Sequence, residues 1–462
     1  MIIHRLPLKP LAQLRLVSNH WNSLISDPRL CSLRNRAAIG LIFERDWTRS
    51  KHIFTKHIRL YDGDVAEKPS PAQIVASIDD LLLEIYHLLP MKPLAQLKLV
   101  SKYWNSLISG PLRNRAAVGL IFEGGLGTRQ TIFLNKSITS QPILNMTPIT
   151  NGPCYRDYKI VHSCNGLLLC LTSNRRDGPK YYVYNPTTSK YITLPLPQVE
   201  IYRSRVSICG MYLAFDPSKS PHYRVVCVLR SRSDWLNMFE FYSSKTGSWR
   251  KGGVLVKPAV NFDFENGVYW NGAIHWVNII TKPRECVYFS IDCNQTPKVF
   301  PNPPLQDDKS YEISDYYFGE SCDHLHFVDA HRELDEFNVY EMKRDYSEWF
   351  VKYKVSVSEI RRDYSEWFIN RKLDASNVIM NRILSFLKNK VCVRVYAVVR
   401  GKNDEDSFLV IETGKIATAT KGLRIARYNI EQKTCETLGD CDFDLTYCSR
   451  HAFQYIESIC SV

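Results

Sequence analysis

Two histidines, His324 and His326, stand two residues apart with Asp323, Asp329 and His331 close by, a spacing that on a strand puts both imidazoles on one face beside carboxylates. Imidazole and carboxylate are ligands of zinc and related ions, so metal-assisted chemistry is one reading of the cluster. A polar strand end at a sheet rim accounts for the same residues without any ligand geometry, and it is the reading adopted. The fourteen cysteines supply no second site, because spacings such as Cys164 to Cys170 and Cys435 to Cys441 to Cys448 never form the CxxC pairs of zinc ribbons or redox motifs. They read as reduced, mostly buried thiols. No nucleophile elbow, HExxH or phosphate-cradling glycine loop is present, and Gly124-Gly125-Leu126-Gly127 lacks the GxGxxG spacing. Catalysis by the chain itself, a cofactor and a metal are therefore not expected.

The elements that carry these residues read as short strands. From about Tyr155 onward the chain is rich in Val, Ile, Tyr, Phe and Trp, broken by Asn, Gly, Asp and Pro. Ser163-Cys164-Asn165-Gly166 leads into LLLCL, and Tyr181 to Tyr184 runs through Asn185-Pro186-Thr187-Thr188 into Tyr191 to Leu194. The same grammar returns at Met211 to Trp249, at Gly267 to Ile291, at Cys322 to Tyr340 and at Val391 to Ile430. Units of several short antiparallel strands, spaced by roughly 45 to 60 residues, are the signature of propeller blades, which need neighbours to bury both sheet faces. The octapeptide Lys343 to Phe350, KRDYSEWF, recurs as Arg361 to Phe368, RRDYSEWF. A blade has a fixed number of strand places, so one copy is expected to pair as an outer strand and the other to bulge or sit on an edge. Ile379, Ile383, Leu384 and Leu387 predict a short helix over 375–388.

The N-terminal part has another texture. Ser77 to Ser109 predicts three short helices, the first carrying Leu81, Leu82, Ile85 and Leu89 and ended by Pro90, the second opening at Pro93 with Leu94, Leu97 and Val100, the third with Trp104, Leu107 and Ile108. That is more apolar surface than three such helices can bury among themselves, and a segment of about 40 residues sits at the size where a partner is normally needed for stability. Leu6 to Ser26 repeats Leu89 to Ser109 almost residue for residue, but lacks the counterpart of the Leu81, Leu82 and Ile85 helix. The stretch Asp80, Leu81, Leu82, Glu84, Ile85, Leu89, Pro90, Lys92, Leu94, Lys98, Val100, Lys102, Trp104, Ser106, Leu107 and Ile108 resembles the F-box, with Ser77-Ile78 in place of its opening Leu-Pro. The segments SCNGLLLC, YVYNPTT, LAFDPSKSPHYRVV, FENGVYWNGAIHW and FNVYEM resemble the F-box-associated, kelch-like domain that follows it in many plant proteins.

The resemblance implies an α+β multidomain chain: a small three-helix F-box followed by a mainly antiparallel β domain, a β-propeller. The expected boundaries are 1–54 for the truncated duplicate, 55–76 for a linker, 77–120 for the F-box, 121–154 for a connector and 155–450 for the β domain, with the helical insertion near 375–388. It implies a substrate-receptor subunit of an SCF-type ubiquitin ligase. Ile78, Leu81, Leu82, Ile85, Leu89, Pro90, Leu94, Leu97, Val100, Trp104, Leu107 and Ile108 would dock a Skp1-like adaptor and through it a cullin, and the β domain would hold a target protein. Two alternatives stay open: an interaction scaffold with a decayed F-box, and a carbohydrate-binding propeller in which Trp235, Trp270 and Trp276 would face ligand instead of packing the blades.

Bulk composition fits. With 462 residues, two or more domains are expected, and 45% apolar with 23% charged residues is a globular balance. No apolar run approaches the roughly 18 residues of a membrane helix, and Met1 to Pro7 shows no secretory signal, so cytoplasm or nucleus is the expected compartment. The net charge of +13 is spread in short clusters such as Arg113-Asn114-Arg115 and Arg175-Arg176, which reads as a solvated surface and not a nucleic-acid groove.

Overall fold

The chain divides into two units, Met1–Pro111 and Leu112–Val462. The computed structural model describes residues of the second unit: 117–123, 129–134, 158–174, 178–197 and, between 206 and 462, all but short stretches of which 373–390 and 441–451 are the longest. The three helices expected over Ser77 to Ser109, the duplicate at 1–54 and the helix expected over 375–388 lie outside the described residues.

The first strands, β1 (Gly119–Glu123) and β2 (Arg129–Phe133), form an antiparallel hairpin. Five four-stranded meanders follow. Blade I is β3 (Tyr158–Cys164), β4 (Leu167–Asn174), β5 (Gly178–Asn185) and β6 (Lys190–Leu194); blade II is β7 (Val206–Ala214), β8 (Arg224–Ser231), β9 (Asn237–Ser243) and β10 (Ser248–Leu255). Blade III is β11 (Val268–Trp270), β12 (Ala273–Asn278), β13 (Glu285–Ser290) and β14 (Lys298–Phe300); blade IV is β15 (Tyr316–Ser321), β16 (His324–Asp329), β17 (Glu336–Met342) and β18 (Trp349–Ser356). After helix α1 (Val357–Lys372), blade V is β19 (Val391–Val399), β20 (Phe408–Lys415), β21 (Arg424–Asn429) and β22 (Thr434–Asp440). The last strand, β23 (Ala452–Tyr455), returns to pair with β1, so blade VI is the sheet β2-β1-β23. The fold is a six-bladed β-propeller, closed by strands from opposite ends of the domain.

Six apolar clusters occupy the six seams between blades. One joins Leu167, Leu169 and Val183 of blade I to Leu213, Val225 and Cys227 of blade II. The next four run blade II to III around Phe239, Trp276 and Phe289, III to IV around Trp270, Phe327 and Trp349, IV to V around Val339, Val355 and Leu409, and V to VI around Tyr396, Val410 and Leu120. The sixth, Ile121, Ile160, Leu168 and Tyr455, joins VI back to I and closes the ring. This packing explains the strand patterns. Middle strands have both faces covered by neighbouring blades, so β12 (AIHWVN) is buried at every position, whereas the outermost β6 is exposed from Lys190 to Thr193 and buried only at Leu194. Trp270 and Trp276 are both buried in these seams, and Trp235 lies outside the described residues.

Two-residue turns with positive φ set the hairpins. Asn165-Gly166 (φ 44° and 88°) and Asn271-Gly272 (φ 48° and 76°) join the first two strands of blades I and III, the turn type whose twist matches that of the strands, and Cys322-Asp323 (φ 51° and 66°) does so in blade IV. At Gly166 a side chain is excluded twice, by φ and because a Cβ would sit 2.3 Å from Ser458 Cβ.

Three expectations need correction. The stretch read as a connector, 121–154, contains β2 and the end of β1, which belong to the propeller; the strand that ties this hairpin into a blade, β23, is more than 300 residues away and leaves no local signal. The β domain likewise runs past 450, through β23. Of the repeated octapeptide, the first copy does make the turn into β18, but the second lies in α1 and not on a sheet edge. The strand place beside β17 is already taken, and Val357, Ile360 and Tyr364, spaced 3 and 4 apart, give a helix a buried stripe.

Candidate functional site

The turns between first and second strands, and between third and fourth, gather at one end of the propeller around the mouth of its central channel. The first turns of blades I, III and IV are tied to the next blade. Asn165 Nδ2 donates to Phe215 O at 2.7 Å, Trp270 Nε1 to Asp323 O at 2.9 Å, and the Arg400 amide to Ser321 Oγ at 3.0 Å. Asn271 Nδ2 reaches Arg344 O at 3.2 Å, joining a turn of blade III to one of blade IV. Between them opens a cleft of about 300 Å³ lined by two ion pairs, Asp216 with Lys219 at 3.2 Å and Asp323 with Arg344 at 2.5 Å, and by Glu320.

The channel itself, a cavity of about 400 Å³, is lined by the innermost strands, with Lys159, Glu320, Arg394 and Gln454 among its polar residues. Gln454 Nε2 donates to Glu320 O at 2.8 Å, bonding blade VI to blade IV. Burial pushes the Glu320 carboxyl up to about 7, against the Asp323 N–H that bonds its Oε1 at 2.6 Å.

The imidazole lining this channel is structural. His162 Nδ1 accepts from the Leu213 N–H at 3.1 Å, so its Nε2–H donates to Gly267 O at 2.9 Å and the ring is neutral. Burial lowers it to about 4. One side chain thus spans blades I, II and III. Asn185 plays the corresponding part at the closure: its Oδ1 accepts from the Thr187 and Thr188 amides at 2.9 and 3.3 Å, and its Nδ2 donates to Ser458 O at 3.0 Å and Cys460 O at 2.7 Å. The YNPTT turn therefore holds the chain that follows β23.

His324 and His326 do lie on one face of β16, but the residue they converge on is Glu341 of β17. His324 Nδ1 is 2.8 Å from Oε1 and His326 Nε2 3.5 Å from Oε2, with Arg400 also 3.5 Å from Oε2. Burial alone would raise the Glu341 carboxyl; the bond with His324 and the nearby His326 overcome it and hold it well below the usual carboxylate range. Among the described residues no group of three His, Cys, Asp or Glu side chains is arranged to hold a metal, and His331 lies outside them. Arg400 continues the network to Tyr353 OH at 2.8 Å and Asp404 at 3.1 Å, so the cluster is a polar joint between blades IV and V. Sequence reasoning missed Glu341 and Arg400, because pairing across strands is not readable from spacing along one. The cysteines Cys164, Cys170, Cys227 and Cys286 are buried thiols.

The adaptor-facing residues read from sequence, Ile78 to Ile108, all lie outside the described residues, so the geometry above concerns the β domain alone.

The family model of the F-box associated beta propeller domain matches residues 131–459, and that of the F-box domain matches 1–33 and 79–115. Among curated proteins the chain is similar to the F-box protein At5g07610 of Arabidopsis thaliana, 30% identical over 85% of this chain and 94% of that one. It is also similar to the F-box protein At5g03970, at 24% over 61% and 70%, and to the F-box/kelch-repeat protein At4g19930, at 24% over 53% and 61%, both of Arabidopsis thaliana.

Proposed function

Given that this chain belongs to the F-box proteins with a C-terminal F-box associated beta propeller domain, we propose that it is the substrate-receptor subunit of an SCF-type ubiquitin ligase. In this reading the stretch Ser77 to Ser109 forms three short helices that dock a Skp1-like adaptor, and through it a cullin. Ile78, Leu81, Leu82, Ile85, Leu89, Pro90, Leu94, Leu97, Val100, Trp104, Leu107 and Ile108 form the contact. The propeller end with the polar turns holds a target protein. The observation that carries the reading is the pairing, in one chain, of an F-box match with a closed propeller whose blades are joined by His162 and by the Glu341–Arg400 pair. A receptor of this kind acts by tethering: it raises the local concentration of target lysines beside a ubiquitin-loaded enzyme, and the transfer chemistry belongs to other subunits. Among the described residues no helix is long and apolar enough to cross a membrane. Action in the cytoplasm or nucleus is part of the proposal.

Affinity purification of the full chain under proteasome inhibition tests it. Adaptor and cullin are expected to co-purify, and Leu82→Ala with Ile85→Ala to reduce both at least tenfold while leaving propeller unfolding unchanged. Retention of the adaptor by the double variant would refute the docking surface; absence of adaptor and cullin from the parent preparation would refute the ligase reading.

A further inference from the structure

The repeat around the octapeptide is longer than eight residues. Offset by eighteen, KRDYSEWFVKYKV at 343–355 aligns with RRDYSEWFINRKL at 361–373, keeping an apolar residue at Val351 and Ile369 and at Val355 and Leu373. In the structure the two copies do different work. The first makes the turn Lys343–Glu348 and β18; the second lies in α1. Yet β18 is the outermost strand of blade IV and pairs with β17 alone, so replacing it disturbs a single strand interface. Two of its contacts have counterparts in the second copy, Trp367 for Trp349 and Leu373 for the buried Val355, whereas Arg371 in the place of Tyr353 could pair with Asp404 but would lose the acceptor that the tyrosine hydroxyl gives Arg400. The cost is the helix, whose seam is held by Val357, Ile360, Tyr364 and the Asp363 pairing with Arg424.

We propose that blade IV has two interchangeable outer strands, and that an eighteen-residue register shift swaps the second copy into the place of β18. The shift moves eighteen residues from the β18-to-β19 connection into the β17-to-β18 turn. That turn sits beside Asn271 and Asp323 at the polar end of the channel, so the shifted state presents a long loop where the resident state has a tight turn. The inference concerns the fold and stands whether or not that end binds a target.

Cysteine trapping in the full chain tests it. Asn338 pairs with Lys354 in the resident state and would pair with Lys372 in the shifted one, both in reach of a disulfide between facing strand residues. Under thiol exchange, with crosslinks mapped by mass spectrometry, N338C/K372C is expected to accumulate at least tenfold more than N338C/R371C, whose side chain would face the other side of the strand. Equal yields at the two positions would overturn the proposal. Deleting 344–361 joins Lys343 to Arg362 and leaves one copy, and this chain is expected to keep the parent's cooperative unfolding transition. Its loss would overturn the proposal as well.

Discussion

Acidification should weaken the propeller through His162, and the size and window of the effect follow from its surroundings. The ring is held neutral between the Leu213 amide and the Gly267 carbonyl, and burial lowers its pKa from 6.5 to about 4. In the unfolded chain it titrates near 6.5. Between these values the unfolded state binds a proton that the folded state refuses, so stability falls as pH falls. The contribution is complete above pH 6.5 and lost by pH 4. The slope is about 1.4 kcal/mol per pH unit, or roughly 3 kcal/mol over the window. His162→Gln isolates this share, because its amide can donate to Gly267 and accept from Leu213 but never takes a proton. His275, lowered to about 3 by burial, adds the same slope to both chains and cancels in the comparison. Urea unfolding followed by tryptophan fluorescence, between pH 7 and 4.5, should give the variant a shallower decline by about 1.4 kcal/mol per pH unit. Parallel lines for parent and variant between pH 6 and 4.5 would refute the assignment of a buried neutral imidazole.

Glu320 should act with the opposite sign. Its carboxyl is raised by burial to about 7, so its stabilising contribution is present below the unfolded value near 4.5 and is lost as pH rises through 7. Glu320→Gln, which keeps the acceptor for the Asp323 amide, is therefore expected to be more stable than the parent at pH 8 by about 1–3 kcal/mol and no different at pH 4.5, measured by the same urea titrations. Asn185→Ala removes the two bonds to the Ser458 and Cys460 carbonyls from a fully buried site, and should cost about 2–4 kcal/mol in thermal unfolding. Limited proteolysis should then release the residues after Tyr455 faster than in the parent; unchanged cleavage would refute Asn185 as the anchor.

Much of the propeller could be read along the chain because its blades are local. Each of blades I to V is a meander of neighbouring strands, so the alternation of Val, Ile and aromatic residues and the Asn-Gly turns at 165–166 and 271–272 mark them without knowledge of the whole. Blade VI could not be read this way. Its hairpin, Gly119–Glu123 with Arg129–Phe133, is local, but the third strand, Ala452–Tyr455, joins it only when the ring closes. The candidate site divides in the same manner. His324 and His326 were legible as a pair on one strand face, whereas Glu341 and Arg400, which decide what that pair does, come from a neighbouring strand and a neighbouring blade.

The repeated octapeptide separates the two kinds of information. Sequence by itself determined that the chain has an F-box-like segment, a propeller-like domain and two copies of RDYSEWF. It could not determine what each copy becomes, since seven identical residues carry one set of local preferences. In the first copy Tyr346 takes φ 63°, stacks on Tyr288 at 4.6 Å and bonds His275 through its hydroxyl at 2.9 Å, while Trp349 Nε1 donates to Pro301 O at 2.8 Å. In the second, the equivalent Tyr364 is a fully buried helix residue, and Trp367 lies under the Arg424 guanidinium. The difference is tertiary: β17 offers one edge, the first copy occupies it, and the second buries its apolar stripe as a helix.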